Sequence, residues 1–123
     1  MVKLDYIPSG IQEVYDYFGD PDPALSDTVD RAWLKNRTGV YEMPMWMPLS
    51  WNVSKVVKRV RIHKQVAESL LDALKAIRDY GGEDWLSQHR LNYYGGIYNF
   101  RPKRGGSQLS LHSFGAAIDL NPH

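Results

Sequence analysis

The chain has 123 residues, no cysteine and a formal net charge of +1, with 43% hydrophobic and 24% charged residues. That length and usage fit one compact domain with a real core and exclude a disordered or low-complexity chain. The missing cysteine excludes a disulfide framework and a thiolate metal site, and the near-balanced charge makes no case for a nucleic acid or membrane partner.

Met1 to Gly10 holds neither a basic cluster nor an apolar run long enough for a secretory signal, and no stretch reaches the length of a membrane span. The first predicted element is a short helix. Ser9 caps it, Gln12 completes a capping box, Ile11, Val14, Tyr15 and Phe18 form its apolar face, and Gly19 ends it. Asp20 to Asp30, with Pro21 and Pro23, reads as a loop. Met43 to Trp51 alternates methionine, proline and tryptophan without helical order, so residues 1–50 are expected to form an irregular layer in which Trp33, Trp46 and Trp51 pack. A sugar-stacking role for one of these indoles stays open.

Val56 to His63 mixes β-branched residues with Lys55, Lys58, Arg59, Arg61 and Lys64, a charge run that reads as a solvated face rather than a nucleic-acid site. The strongest helical signal follows: Val66, Leu70, Ala73, Leu74 and Ile77 recur at helical spacing until Gly81-Gly82, and Glu83 falls in a solvated loop. Leu91 to Phe100 reads as a strand interrupted at Gly95-Gly96. The expected fold is α+β, a small antiparallel sheet with helices packed on one side.

The residues with the most specific chemistry come last, where Ser110, His112, Gly115, Ala117 and Asp119 form the pattern SxHxxGxAxD. Chance occurrence of such a pattern in a chain of this length is on the order of one in ten thousand. An imidazole and a carboxylate are both zinc ligands. Their offset of seven is odd, so one unbroken strand would send them to opposite faces, and Gly115 supplies the bend that lets them converge. After it, Ala116, Ile118 and Leu120 face a core while Ala117 and Asp119 share the other face. The alternative is a hairpin in which His112 and Asp119 make ordinary hydrogen bonds.

This pattern, preceded by Gly95-Gly96-Ile97-Tyr98-Asn99-Phe100-Arg101, resembles the zinc D-alanyl-D-alanine carboxypeptidases, the VanY-like peptidoglycan peptidases, which include phage endolysins that cut L-alanyl-D-glutamate bonds. The similarity runs over residues 55–123 and adds little before them. It implies the hedgehog/D,D-peptidase type of fold, Zn2+ as cofactor, His112 and Asp119 as two of three metal ligands, and Ser110 as a first-strand residue near the substrate. It implies further that Arg101 holds the scissile carbonyl or its developing oxyanion, which suits a planar, permanently charged donor. The partner implied is a peptidoglycan stem peptide. The protein is then expected to be soluble, made in the cytoplasm, and active at the bacterial cell wall after release or delivery.

Members of that family carry, well downstream of the aspartate, a glutamate general base and a histidine as third ligand, and the 123 residues end before such a motif. The expectation is a single domain cut short at its C-terminus, inactive or impaired as it stands. A substitute ligand could come from His123, His63 or His89. The competing reading is a non-catalytic cell-wall-binding or structural module with a degenerate zinc site.

Overall fold

A computed structural model describes residues 6–101 and 108–120. In chain order the elements are α1 (Gly10–Phe18), α2 (Arg31–Arg37), β1 (Thr38–Leu49), β2 (Asn52–His63), α3 (Lys64–Gln88), β3 (Tyr94–Gly96), a 3-10 turn (Leu111–Phe114) and β4 (Asp119–Leu120). The α+β class is observed, with a four-stranded sheet in the order β2-β1-β3-β4.

The sheet is mixed rather than wholly antiparallel. β1 and β2 form an antiparallel hairpin from Thr38↔His63 to Leu49↔Asn52. Helix α3 then returns the chain to the free edge of β1, so β3 joins β1 in parallel at Leu49↔Tyr94, and β4 closes antiparallel on β3.

Helix α1 begins and ends at the expected residues, but its cap differs. The Ser9 hydroxyl makes no capping bond, and the Ser9 N–H donates instead to Glu13 Oε1 at 3.0 Å. Gln12 bonds Asp16 rather than completing a box. The loop before α2 closes on Asp22, whose carboxylate accepts from the Ser26 and Asp27 N–H groups.

Residues 6–50 are more ordered than expected, because β1 is one of the two longest strands among the described residues. Tyr41, Met43, Met45 and Met47 point toward the core at every second position, while Val40, Glu42 and Trp46 point out. Of the three tryptophans, Trp33 is buried and donates its indole N–H to the Phe18 carbonyl at 3.0 Å. Trp46 and Trp51 are exposed rather than packed.

The first helical run of α3 ends at Gly81-Gly82, as expected. The chain breaks from helical geometry at Gly82 (φ 79, ψ 164) and resumes to Gln88. Glu83 lies in that second helical piece and not in a loop, with Oε1 accepting from the Trp46 N–H at 3.0 Å. Ala67, Leu70, Leu71 and Leu74 face the sheet, whereas Ala73 and Ile77 are exposed. From Leu91 to Phe100 only Tyr94–Gly96 is strand.

Two cores result. The larger joins Met47, Ile62, Leu74, Leu86 and Ile97 between sheet and α3. The smaller joins Val14, Phe18 and Trp33 to Phe114, so α1 and α2 pack directly on the motif segment.

His63 stands where these parts meet. Its Nδ1 accepts from the Gln65 N–H at 3.1 Å, capping α3, which leaves Nε2–H to donate to the Phe18 carbonyl at 2.8 Å. Burial lowers its pKa from 6.5 to about 4, and the Arg37 charge adds to the shift. The folded chain therefore favours the neutral ring, while the unfolded chain takes up a proton first. Stability carried by His63 is complete above pH 6.5 and falls as the pH drops toward about 4, by about 3 kcal/mol in all. Denaturant titrations at pH 7.5, 5.5 and 4.5 should show this loss in the parent and a shallower one in His63→Gln; parallel slopes would refute it.

Candidate metal centre

The motif segment leaves the expected strand geometry at its start. Ser110 is not a strand residue; it is the N-cap of the 3-10 turn, where its hydroxyl accepts from the His112 N–H at 3.2 Å. It is buried, and its hydroxyl oxygen is engaged with the His112 main chain. Gly115 ends the turn in the left-handed region at φ 70. Its carbonyl accepts from the His63 N–H at 3.0 Å, and a Cβ at Gly115 would lie 2.9 Å from that same nitrogen. Only glycine allows the turn to sit this close to the end of β2.

Past Gly115 the chain straightens and pairs with β3, with Asp119 opposite Gly96. The next residue, Ile97, offers its carbonyl to His112 Nδ1 at 2.7 Å. Adjacent residues of one segment thus locate both side chains of the pair. His112 Nε2 and Asp119 Oδ2 lie 3.3 Å apart, with the His112 side chain 12% exposed and that of Asp119 52% exposed. The convergence expected of the two residues is what the fold produces.

A carbonyl can only accept, so Nδ1 carries a proton and the Nε2 position faces the carboxylate. A neutral ring then aims a lone pair at an anion, an arrangement that requires a proton or a cation between them. Zinc bonded to nitrogen and oxygen at about 2.0–2.2 Å in tetrahedral geometry holds two such donors roughly 3.3–3.5 Å apart. The observed separation lies at that spacing and equally at that of a direct imidazolium–carboxylate ion pair. An Nδ1–H donated to a backbone carbonyl is also the usual outer contact of a zinc-binding imidazole.

Arg101 is joined to this turn through its main chain. Its carbonyl accepts from the Ser110 N–H at 2.9 Å, and its N–H donates to Ser113 Oγ at 2.8 Å. Ser113, fully buried, also donates to the Arg101 carbonyl at 2.7 Å. The Asn99 N–H donates to the His112 carbonyl at 2.9 Å. Residues 97–101 and the 3-10 turn are therefore stitched together along their length. Sequence reasoning missed the parts played by Ile97, Ser113 and His63. A backbone carbonyl leaves no residue-type signal, and Ser113 occupies an unspecified position of the motif.

The remaining histidines divide clearly. His63 has both ring nitrogens bonded within the protein, so it is no substitute ligand. The His89 ring lies against Trp85 at 4.9 Å at the end of α3. His123 lies outside the described residues. Among the described residues no group of three or more His, Cys, Asp or Glu side chains gathers as a metal cage. An apolar cavity of about 300 Å³ flanks the segment between the pair, lined by Val66, Leu70, Ile97, Ala116 and Ile118, with Ser69 at its wall. Among the described residues no helix is long and apolar enough to cross a membrane.

Searches against protein-family models, curated proteins and solved structures returned no match.

Gly115→Ala is predicted to destabilise the fold by about 2–4 kcal/mol, combining the left-handed backbone with a clash against main chain. Chemical denaturation measures the loss, and a change below about 0.5 kcal/mol would show that the turn is not held as described.

Proposed function

We propose that the chain is a zinc metallopeptidase of peptidoglycan stem peptides, acting as a D-alanyl-D-alanine carboxypeptidase or as an endopeptidase on the L-alanyl-D-glutamate bond. The single observation that carries this reading is the His112 Nε2 to Asp119 Oδ2 separation of 3.3 Å with Nδ1 anchored on the Ile97 carbonyl. His112 and Asp119 are two of the protein ligands. Bound there, zinc supplies Lewis-acid activation of water and of an amide carbonyl near neutral pH.

The chain's own residues do the positioning. Ser110 caps the turn through the His112 backbone N–H, and the Ile97 carbonyl fixes the ring in the tautomer that leaves Nε2 available. Arg101, tied by its backbone to the same turn, presents a permanent cation for the negative charge that develops on the carbonyl oxygen. The apolar cavity beside Ala116 and Ile118 has room for apolar groups of a substrate.

Equilibrium dialysis against zinc followed by metal analysis is expected to give one ion per chain. His112→Ala and Asp119→Ala should each weaken binding by at least about tenfold, because a site with few protein ligands depends on each of them. Stem-peptide cleavage by a longer form that adds the family's glutamate and third ligand, followed by mass spectrometry, should stop in His112→Ala and on chelation. Stoichiometric zinc retained in His112→Ala, or cleavage that survives chelation, would overturn the assignment.

A further inference from the structure

Charge is unevenly spread along the chain. Residues 38–64, the β1–β2 hairpin and the first residue of α3, hold five Lys and Arg against one acid, so a protein of net charge +1 concentrates +4 in this segment and leaves −3 for the rest. The hairpin is also where the strand register fails. Between Glu42 and Met47, β1 arches away from β2, which opens a cleft of about 360 Å³ lined by Glu42, Met45, Trp46, Val57, Lys58 and Arg59.

Trp46 is 47% exposed at this cleft although its main chain is held on both sides. Its N–H donates to Glu83 Oε1 and its carbonyl accepts from Asn92 Nδ2, each at 3.0 Å. Arg78 holds the Pro44 carbonyl just before it. The bulge is thus fixed to α3 and the segment after it, so the indole is presented from a rigid frame rather than a free loop. Arg59 pairs with Glu42 at 3.7 Å, and Lys58 has no acidic partner among the described residues.

A fixed, half-exposed indole in a cleft that an unpaired lysine also lines matches a saccharide ring that carries a carboxylate. The C–H face of the sugar covers the aromatic face, the cation meets the carboxylate, and Glu42 and Arg59 serve the hydroxyl and amide groups. A nucleic acid fits less well, since Glu42 would face a phosphate on every residue of the polymer.

We propose that the cleft between β1 and β2 binds a carboxylate-bearing amino-sugar chain through Trp46 and Lys58; the choice of cell-wall glycan as that polymer rests on the peptidase reading above. The cleft then holds peptide-free units of the glycan strand, whose lactyl carboxylates are not consumed in the amide to a stem peptide, while the metal centre handles peptides on neighbouring units.

Calorimetric titration tests this with three probes: peptide-free wall tetrasaccharide bearing free lactyl carboxylates, the neutral tetramer of N-acetylglucosamine, and a single-stranded DNA decamer. The carboxylated tetrasaccharide should bind tightest of the three. Trp46→Ala should weaken it at least about tenfold, and Lys58→Gln, on an exposed strand position, should erase the preference over the neutral tetramer. His112→Ala should bind the glycan like the parent. Undiminished binding in Trp46→Ala, no preference for the carboxylated probe in the parent, or tighter binding of DNA would overturn the proposal. Glycan binding without zinc binding would sink the peptidase reading alone, and zinc binding without glycan binding would sink this one alone.

Discussion

The hydrogen bond from the His63 N–H to the Gly115 carbonyl, 3.0 Å long, is the contact on which the rest of the centre depends. It joins the end of the longest hairpin to a turn that no side chain could occupy, because a Cβ at Gly115 would meet the His63 nitrogen at 2.9 Å. On one side of that turn His112 is held in a 3-10 segment; on the other the chain extends to Asp119. Two residues that a continuous strand would send apart are brought to one point by a single left-handed residue.

Three further restraints act on the same turn from different directions. The Ile97 carbonyl fixes the imidazole, Ser113 locks the strand-like run through Arg101, and Phe114 is buried among Tyr15, Phe18 and Trp33. The last of these gives residues 10–37 a purpose that the motif resemblance did not assign. Helices α1 and α2 wall in the aromatic residue that follows the histidine by two positions, and His63 ties α1 to the same junction through the Phe18 carbonyl. Rigid support of this kind is what a site needs if its donor atoms are to stay within fractions of an ångström of a metal-binding geometry.

Much of this was legible in the sequence where the signal is local. Gly19 ends α1, the periodicity after Lys64 marks α3, and the odd offset of His112 from Asp119 with an intervening glycine foretold both the bend and the convergence. What failed was long-range. The alternation of Met43, Met45 and Met47 is a period-two strand signal, but Pro44 and Pro48 masked it; the prolines are tolerated because the register shifts beside each of them. Gly82 does break α3, yet the helix resumes because Glu83 and Trp85 find partners on β1 and Gly81. The parallel placement of β3, the use of the Ile97 carbonyl and the burial of His63 are tertiary facts with no local signature.

The central claim is that His112 Nε2 and an Asp119 carboxylate oxygen share one divalent cation. Crystals grown with zinc and measured on both sides of the zinc absorption edge test it most directly. The account predicts one anomalous peak within about 2.0–2.2 Å of both atoms, with Nδ1 still bonded to the Ile97 carbonyl. A peak on neither residue, or one bound through Nδ1, would contradict it.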